Sequence, residues 1–181
     1  MHKITLVTGN PGKLRELQAI LPNHFAFEAH SLDLTEIQSL DSKEIVADKL
    51  KRAYDIIQGP VVVEDVAVEL DDLKGLPGPF YKFFREQMGD IILLRLSNGP
   101  GSKVTVRCTA GYYDGTDLIF GEGVLRGTVE EPRGENGFGF DPVIMPEGER
   151  RTMAEMTPDE KNAISHRGLA FKDLAAKLEK R

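Results

Sequence analysis

Residues 8–13, Thr-Gly-Asn-Pro-Gly-Lys, have the composition of an anion-binding loop. They follow a short apolar run at residues 4–7 that is typical of a strand, and residues 14–21 continue with helical spacing of leucine and isoleucine. The N–H groups at the start of a helix lack intrahelical partners, so they can bind phosphate oxygens. Lys13 would add a formal charge. The pattern therefore predicts a phosphate site between a strand and a helix.

Thr8 and Asn10 would add side-chain donors to this loop. It is not a Walker A motif, because that motif has a longer loop and a hydroxyl residue after the lysine, where this chain has Leu14. A plain strand-to-helix turn with a solvated Lys13 is the alternative, and the loop alone leaves both interpretations open.

Two adjacent carboxylates, Glu64 and Asp65, follow the β-branched run at residues 61–63. Such a run is typical of a strand covered on both faces, and open α/β sheets bind ligands at the carboxyl ends of their strands. Neighbouring strand residues face opposite sides, so we expect at most one of the two in the site, and the pattern does not say which. Mg²⁺ takes one or two carboxylates plus phosphate oxygens, which makes Glu36 a candidate second ligand. Solvated acids at a strand end are the alternative.

The segment Glu-Asn-Gly-Phe-Gly-Phe-Asp-Pro at residues 135–142 places two glycines between aromatic residues. Glycine lets the backbone approach a flat ligand, and Phe138 or Phe140 could stack on a base. Asp141 could accept a hydrogen bond from a ring N–H. The alternative is a glycine-rich connection with both phenylalanines in the core.

Lys161, His166 and Arg167 place three potentially cationic groups near one helix end of an acidic protein, which favours phosphate or base-edge contacts. At about 100° per residue, Lys161 and Ser165 share a helix face, whereas His166 and Arg167 do not. All three converge only if the helix breaks near Ser165, which Gly168 favours. Otherwise His166 is an ordinary surface histidine.

The elements that position these groups follow from hydrophobic spacing. Strands over residues 4–7, 25–29 and 61–63 alternate with two helices. Pro22 ends the first helix, and a capping box of Asp41 and Glu44 begins the second. The order β-α-β-α-β implies crossover connections and an α/β sheet.

The second half of the chain is predicted to extend this sheet. A turn-rich loop precedes two short helices, and residues 104–113 and 118–129 then form a hairpin around Asp114-Gly115, which makes the sheet mixed. Residues 157–160, Thr-Pro-Asp-Glu, combine an N-cap, a first-turn proline and an N3 glutamate, so a helix begins there.

Composition limits the function further. A chain of 181 residues forms one domain, or two lobes with one core. The net charge of −6 argues against a general nucleic-acid or membrane binder, which needs a basic surface. A single cysteine, Cys108, fits a reducing cytosol and is expected in the core. We expect a cytoplasmic protein, since the chain enters a strand directly and has no apolar run of membrane length.

Four motifs in this order resemble the inosine/xanthosine triphosphate pyrophosphatase family: TGNPGK (8–13), VEDVAVELDDLKGLPGPFYKFF (63–84), GFGFDP (137–142) and EKNAISHR (160–167). The resemblance spans nearly the whole chain. It implies a single α/β domain over residues 1–181, with an elongated mixed central sheet flanked by helices and a substrate cleft between two lobes. It also implies a homodimer that cleaves ITP, dITP or XTP to the monophosphate and pyrophosphate with Mg²⁺, cleansing the nucleotide pool.

The resemblance implies roles for individual residues. The metal ligands would be Glu36 and Asp65, and Asp65 would also accept the proton. The phosphate loop would comprise Thr8, Gly9, Asn10, Pro11, Gly12 and Lys13. The other substrate contacts would be Lys49, Val66, Lys82, Phe138, Gly139, Phe140, Asp141, Lys161, His166 and Arg167.

Two stretches depart from the commonest bacterial pattern of this family. Residues 64–67 are Glu-Asp-Val-Ala where that pattern has Asp-Asp-Ser-Gly, and residues 78–82 are Gly-Pro-Phe-Tyr-Lys where it has Gly-Val-Tyr-Ser-Ala-Arg. Both resemble the archaeal and eukaryotic branch, so they bear on the dimer and loop details more than on the activity.

The expected reaction follows. Asp65, directly or through a hydroxide it helps form, supplies the nucleophile at the α-phosphorus, and Lys13 stabilises the departing pyrophosphate. Arg167, His166 or backbone N–H groups would donate to the six-keto oxygen of hypoxanthine and xanthine. ATP would leave these donors unmatched, which can discriminate about 10⁴-fold. GTP has the same six-keto group, so its exclusion must depend on its 2-amino group.

Two other functions stay open. One is a house-cleaning pyrophosphatase or phosphatase acting on other modified nucleotides. The other is a non-catalytic nucleotide- or RNA-binding module, against which the acidic charge and the Glu36/Asp65 pair argue.

Overall fold

The computed structural model of the protein describes residues 3–20 and 26–180. Within these ranges the strands are β1 (Lys3–Val7), β2 (Ala26–His30), β3 (Val61–Leu70), β4 (Pro77–Gly78), β5 (Lys103–Tyr113), β6 (Leu118–Val129) and β7 (Ile144–Pro146). The helices are α1 (Pro11–Ile20), α2 (Ser42–Ile57), α3 (Tyr81–Met88), α4 (Ile92–Leu96), α5 (Pro158–Ile164) and α6 (His166–Leu178). The predicted helix stop at Pro22 and the strand residue Phe25 lie outside the described residues.

The strands form one mixed sheet in the order β2-β1-β3-β5-β6-β7, with β4 paired to β3. β1 runs parallel to both β2 and β3, as crossover helices α1 and α2 require. β4 and β7 pair antiparallel with β3 and β6. A four-residue loop joins β5 to β6, and so short a loop joins only antiparallel strands. The predicted mixed α/β sheet with helices is confirmed.

β3 is longer than the predicted run of residues 61–63, because burial on both faces continues through Leu70. Glu64 and Asp65 therefore lie inside the strand, and the prediction that they sit near its end was wrong. β1 pairs with β3 only as far as Leu6↔Val62 and ends at Val7. The two carboxylates thus follow immediately after the end of β1, where the loop to α1 begins.

Asp41 is the N-cap of α2, as predicted, and its Oδ1 accepts the Lys43 N–H at 2.8 Å. The predicted reciprocal bond from Glu44 is replaced by a relay. The Asp41 N–H donates to Ser39 Oγ at 3.0 Å, and the Ser39 hydroxyl donates to Glu44 Oε2 at 2.8 Å. A hydroxyl two residues before the cap therefore takes the place that the glutamate occupies in a capping box.

The chain divides into two compact units. Unit 1 comprises Met1–Asp65, Cys108–Gly123 and Arg167–Arg181, and unit 2 comprises Val66–Arg107 and Val124–His166. In unit 1, α2 packs against β3 through Val46, Leu50, Ala53, Val61 and Val63. In unit 2, the core includes Val68, Leu70, Tyr81, Ile92, Leu93, Val106, Phe140 and Ile144.

Close approach of α2 in unit 1 depends on Gly111 of β5. A Cβ at this position would lie 2.5 Å from Val46 Cγ1 and 2.7 Å from Leu50 Cδ1, inside van der Waals contact. Glycine at this position therefore allows α2 to pack closely against β5.

None of the helices in residues 3–20 and 26–180 has both the length and the apolar character needed to cross a membrane.

Candidate functional site

The predicted anion-binding loop joins β1 to α1 in unit 1. Thr8 Oγ1 accepts the Asn10 N–H at 3.1 Å, and Asn10 Oδ1 accepts the Gly12 N–H at 2.8 Å. These bonds shape the turn and cap α1, in which Pro11 is the first residue. Gly9 is exposed beside them. Both side-chain oxygens thus serve the backbone of the loop, so the predicted donor role would use the Thr8 hydroxyl proton and the Asn10 amide.

Lys13 lies in the first turn of α1, and its Nζ is 2.8 Å from Glu64 Oε1 on β3. The Lys13 side chain is 28% exposed, whereas that of Glu64 is 3% exposed. An ammonium group has three N–H donors, so a lysine in one ion pair keeps the capacity to bind two further acceptors. Of the two adjacent carboxylates, the one that faces the loop is Glu64.

Glu64 is also bound by Arg167 in the first turn of α6. Arg167 Nε lies 2.8 Å and 3.1 Å from the two Glu64 oxygens, and its Nη1 lies 2.7 Å from Glu16 Oε2 on α1. Burial would raise the pKa of Glu64, but the charges of Arg167 and Lys13 outweigh burial and hold that pKa well below its usual range. Glu64 is therefore an ionised carboxylate buried between two cations.

Cys108 of β5 lies against the same carboxylate, and its Sγ–H donates to Glu64 Oε2 at 3.3 Å. Burial, and then the charge of Glu64, raise the pKa of the Cys108 thiol well above its usual value. The side chain is buried, which confirms the prediction of a core cysteine. It acts here as a neutral donor.

The two predicted metal ligands, Glu36 and Asp65, lie with Lys49 in a second polar cluster of unit 1. Lys49 Nζ lies 3.0 Å from Glu36 Oε1 and donates to the Glu64 carbonyl at 3.3 Å. Asp65 Oδ2 accepts the Ser42 hydroxyl at 2.7 Å. Alternation along β3 therefore sends the Glu64 and Asp65 side chains to different partners, as the strand period requires.

This donor set fits a hard divalent cation whose other ligands come from a substrate. Burial raises the pKa of Asp65; the Ser42 bond and Lys49 lower it, Glu36 and Glu64 raise it, and the net effect is an increase. A cation would relieve this crowding of negative charge. In the described part of the chain no group of three or more His, Cys, Asp or Glu side chains could hold a metal alone. Two carboxylates are what Mg²⁺ takes when phosphates supply other ligands.

In unit 2, Asp141 organises the glycine-rich segment. Asp141 Oδ2 accepts the Phe138 N–H at 2.7 Å and lies 2.7 Å from Lys161 Nζ. Gly137 and Gly139 have φ values of +80° and +68°, and a Cβ on Gly137 would collide with the Asp141 carboxylate. Glycine is thus required by the backbone here. Asp141, which was predicted to accept from a ring N–H of a base, thus binds the Phe138 N–H and the Lys161 ammonium within the protein.

The two phenylalanines of this segment differ in environment. Phe140 is 8% exposed and packs in the core of unit 2, with its ring centroid 5.4 Å from Tyr81 and 5.5 Å from His166. Phe138 is half-buried, and Lys161 Nζ lies 4.8 Å from its ring centroid. Phe140 therefore occupies the core, as the alternative interpretation expected, and Phe138 is the ring with surface available for stacking.

The predicted helix break occurs at Ser165, whose φ of −68° and ψ of 149° are extended and separate α5 from α6. Gly168 is not its cause, since Gly168 lies inside α6. Lys161 and His166 contact other residues of unit 2, whereas the Arg167 guanidinium is held by carboxylates of unit 1. The break thus places Lys161 beside Asp141, His166 beside Phe140, and Arg167 beside Glu64 and Glu16.

The last two predicted contact residues lie in unit 2. Val66 follows Asp65 on β3 and packs, partly buried, against the core of unit 2. Lys82 lies in the first turn of α3 with an exposed side chain.

Two side chains that hold these groups were missed from the sequence. Glu16 lies three residues after Lys13, a spacing that puts both on one face of a helix, so periodicity could have identified it as part of the cluster. Ser42 gave no such signal, because its bond to Asp65 spans 23 positions of the chain.

A groove of about 550 Å³ lies elsewhere in unit 2, beside β5, β6 and β7. Lys103, Arg126 and Glu147 are among its lining residues, and the predicted site residues are not. Its charges are mixed in sign. We therefore assign the candidate site to the polar clusters and not to this groove.

Comparison with known proteins gives a family. The model of the Ham1 family matches residues 4–177. The chain is similar to inosine triphosphate pyrophosphatase 2 of Trypanosoma cruzi (strain CL Brener), with 48% identity over 97% of this chain and 91% of that protein. It is also similar to inosine triphosphate pyrophosphatase of Schizosaccharomyces pombe (strain 972 / ATCC 24843), with 41% identity over 99% of this chain and 96% of that protein.

Solved structures give the same result. A HAM1 protein from Coxiella burnetii superposes with a TM-score of 0.86 and 28% identity, over 100% of both chains. A nucleoside-triphosphatase described as a dITP/XTP pyrophosphatase, from Mycobacterium abscessus, gives a TM-score of 0.72 and 26% identity, over 97% of this chain and 98% of that one.

Proposed function

The chain belongs to the Ham1 family, and we propose that it is a nucleoside triphosphate pyrophosphatase acting on deaminated purine nucleotides. The substrates are ITP, dITP and XTP, and the products are the monophosphate and pyrophosphate. Relatives that match over nine-tenths of their own length carry the name inosine triphosphate pyrophosphatase. Hydrolysis of these nucleotides removes them from the pool used for nucleic-acid synthesis.

One observation carries the proposal: unit 1 holds a lysine-bearing loop and a pair of carboxylates around consecutive residues of one strand. Lys13 reaches Glu64, and the next residue, Asp65, belongs to the cluster with Glu36 and Lys49. A triphosphate needs cations along its length and a base near the attacked phosphorus. Both are available within one unit.

The residues of the chain would act as follows. Asp65 accepts a proton from the attacking water. Lys13 and Lys49 bind phosphate oxygens. Lys13 and the N–H groups of the loop stabilise the negative charge that develops on the departing pyrophosphate.

Glu36 and Asp65 would hold Mg²⁺. When bound, the ion would reduce the negative charge of the triphosphate, which otherwise repels a nucleophile. Lys49 would remain beside the pair, since its ammonium already lies at Glu36.

Unit 2 carries groups suited to a purine base. Phe138 offers a ring face for stacking, and Gly137 and Gly139 let the backbone approach the base edge. Peptide N–H groups and His166 donate to the six-keto oxygen of hypoxanthine or xanthine. The six-amino group of adenine would leave these donors unmatched, so ATP is a poor substrate.

The test is turnover of ITP, XTP, dITP, ATP and GTP, with pyrophosphate and phosphate detected separately, with and without Mg²⁺. We expect pyrophosphate from the first three substrates only, and loss of activity in Asp65→Asn. Release of phosphate alone from ITP would instead make the protein a phosphatase. Full binding of ITP by both wild type and Asp65→Asn without any turnover would make it a nucleotide-binding module.

We also propose a homodimer in the cytoplasm. Light scattering on the purified protein would give twice the mass of one chain, and a monomer mass at micromolar concentration would refute the dimer.

A further inference from the structure

We propose that Glu64 is a positioning residue that holds the Lys13 ammonium at the phosphate loop. The inference rests on the proposed function, because it assigns a task to Glu64 within the triphosphate site. Glu64 itself touches no substrate in this assignment. It acts through Lys13.

The contacts form a row of alternating charges within unit 1. Glu16 lies 2.7 Å from Arg167, Arg167 lies 2.8 Å from Glu64, and Glu64 lies 2.8 Å from Lys13. Side-chain exposure along the row is 15%, 5%, 3% and 28%. The row is therefore buried in its middle, and the end with the greatest exposure is the ammonium that the loop carries.

Glu64 is itself firmly held. It lies within β3, Arg167 Nε contacts both of its oxygens, and Cys108 donates to Oε2. A lysine on a solvated helix turn samples many rotamers, and binding a phosphate would have to order it. A fixed carboxylate 2.8 Å from Nζ orders it beforehand, while two N–H donors stay available for phosphate oxygens.

The charge of Glu64 is essential to this role. A glutamine at this position has the same shape, but its amide NH₂ is a donor and would face Arg167 or Lys13, which are donors too. Arg167 and Cys108 both donate to Oε2 and would keep the amide oxygen there, so the NH₂ would face Lys13. The Lys13 ammonium would then lose its fixed acceptor and return to solvent. Glu64→Gln should therefore impair anion binding although neither the loop nor its lysine has changed.

The experiment is a double-mutant cycle on binding of inorganic pyrophosphate, measured by calorimetry on the full chain. We expect Lys13→Met and Glu64→Gln each to weaken pyrophosphate binding about tenfold. The double variant should bind no more weakly than Lys13→Met alone, since Glu64 acts only through Lys13. Independent, multiplied losses in the double variant would overturn the proposal, as would unchanged binding in Glu64→Gln.

Glu69→Gln is the matched control. Glu69 lies on the same strand, in an ion pair with Arg107 at 2.8 Å. Its substitution should leave pyrophosphate binding unchanged. If Glu64→Gln does not fold, as judged by circular dichroism, Glu64→Asp replaces it in the cycle. The shorter carboxylate should lose about threefold in binding, and that loss should vanish in the Lys13→Met background. A loss that persists there would refute the proposal.

The outcome is separable from that of the proposed function. Failure of wild type to hydrolyse ITP would refute the proposed function, but the cycle on pyrophosphate would still test Glu64. Conversely, wild type could hydrolyse ITP normally while the effects of Lys13→Met and Glu64→Gln on pyrophosphate binding add independently. That result would support the proposed function and refute the positioning role.

Discussion

Lys161 Nζ lies 2.7 Å from Asp141 Oδ2, and both side chains are nearly excluded from solvent, with 6% and 3% exposed. The same carboxylate accepts the Phe138 N–H, and the ammonium lies over the Phe138 ring. One buried ion pair therefore fixes the segment that we assign to the purine. It supports that segment from within the protein.

Asp141→Asn should be strongly destabilising. The asparagine keeps the shape but removes the charge of a carboxylate 2.7 Å from the buried Lys161 ammonium, and breaking a buried ion pair typically costs about 3–5 kcal/mol. Urea unfolding followed by circular dichroism measures the change. Glu135→Gln, an exposed carboxylate six positions earlier, serves as the control and should stay within about 0.5 kcal/mol of wild type. Equal effects of the two changes would contradict a stabilising role for the ion pair.

Gly137→Ala should disturb the same segment by another route. The added Cβ would meet the Asp141 carboxylate and would also hold an L-residue at φ +80°. Gly148→Ala is a matched control, because Gly148 has φ +85° but nothing within 4 Å of an added Cβ. Both should lose about 1 kcal/mol to backbone strain. Only Gly137→Ala should also weaken binding of IMP, measured by calorimetry; equal IMP binding in the two variants would refute the contact.

Lys49→Met should strengthen binding of Mg²⁺ alone. The Lys49 ammonium already lies at Glu36 and lowers the pKa of Asp65, so it opposes a second cation at these carboxylates. Removing it should lower the Mg²⁺ dissociation constant about tenfold, because one partly screened charge interaction has about that effect on binding. Calorimetric titration with MgCl₂ gives the constant. Lys51→Met, an exposed position of the same helix, should leave it unchanged. Unaltered Mg²⁺ affinity in Lys49→Met would argue against a metal at Glu36 and Asp65.

Asn10→Ala should loosen the phosphate loop. It removes the acceptor of the Gly12 N–H at the start of α1, and loss of such a cap costs about 1 kcal/mol. Thermal unfolding measures the stability change, and pyrophosphate binding should weaken with it. Gln18→Ala, at an exposed position of the same helix, is the reference substitution. A stability equal to that of Gln18→Ala would mean that the cap contributes nothing.

Most interactions between residues close in sequence were read correctly from the sequence, with the Ser39 relay at Asp41 as the exception. The capping box of Thr157 and Glu160 and the hairpin at Asp114-Gly115 are present as predicted. A cap or a tight turn depends on atoms only two to four residues apart, so residue types and spacing are sufficient to specify it. The parallel placement of β1 and β3 also followed, because crossover helices leave little choice of topology.

The tertiary structure decided which charged group meets which. Strand alternation showed that Glu64 and Asp65 separate, but only the packing of α1, α2 and α6 against β3 assigned Glu64 to Lys13 and Arg167, and Asp65 to Ser42. The Arg167–Glu64 contact joins residues 103 positions apart. Periodicity describes one element at a time, whereas the partner of a buried charge depends on which elements pack together. The sequence thus determined which groups could do the chemistry, and the packing determined which of them act together.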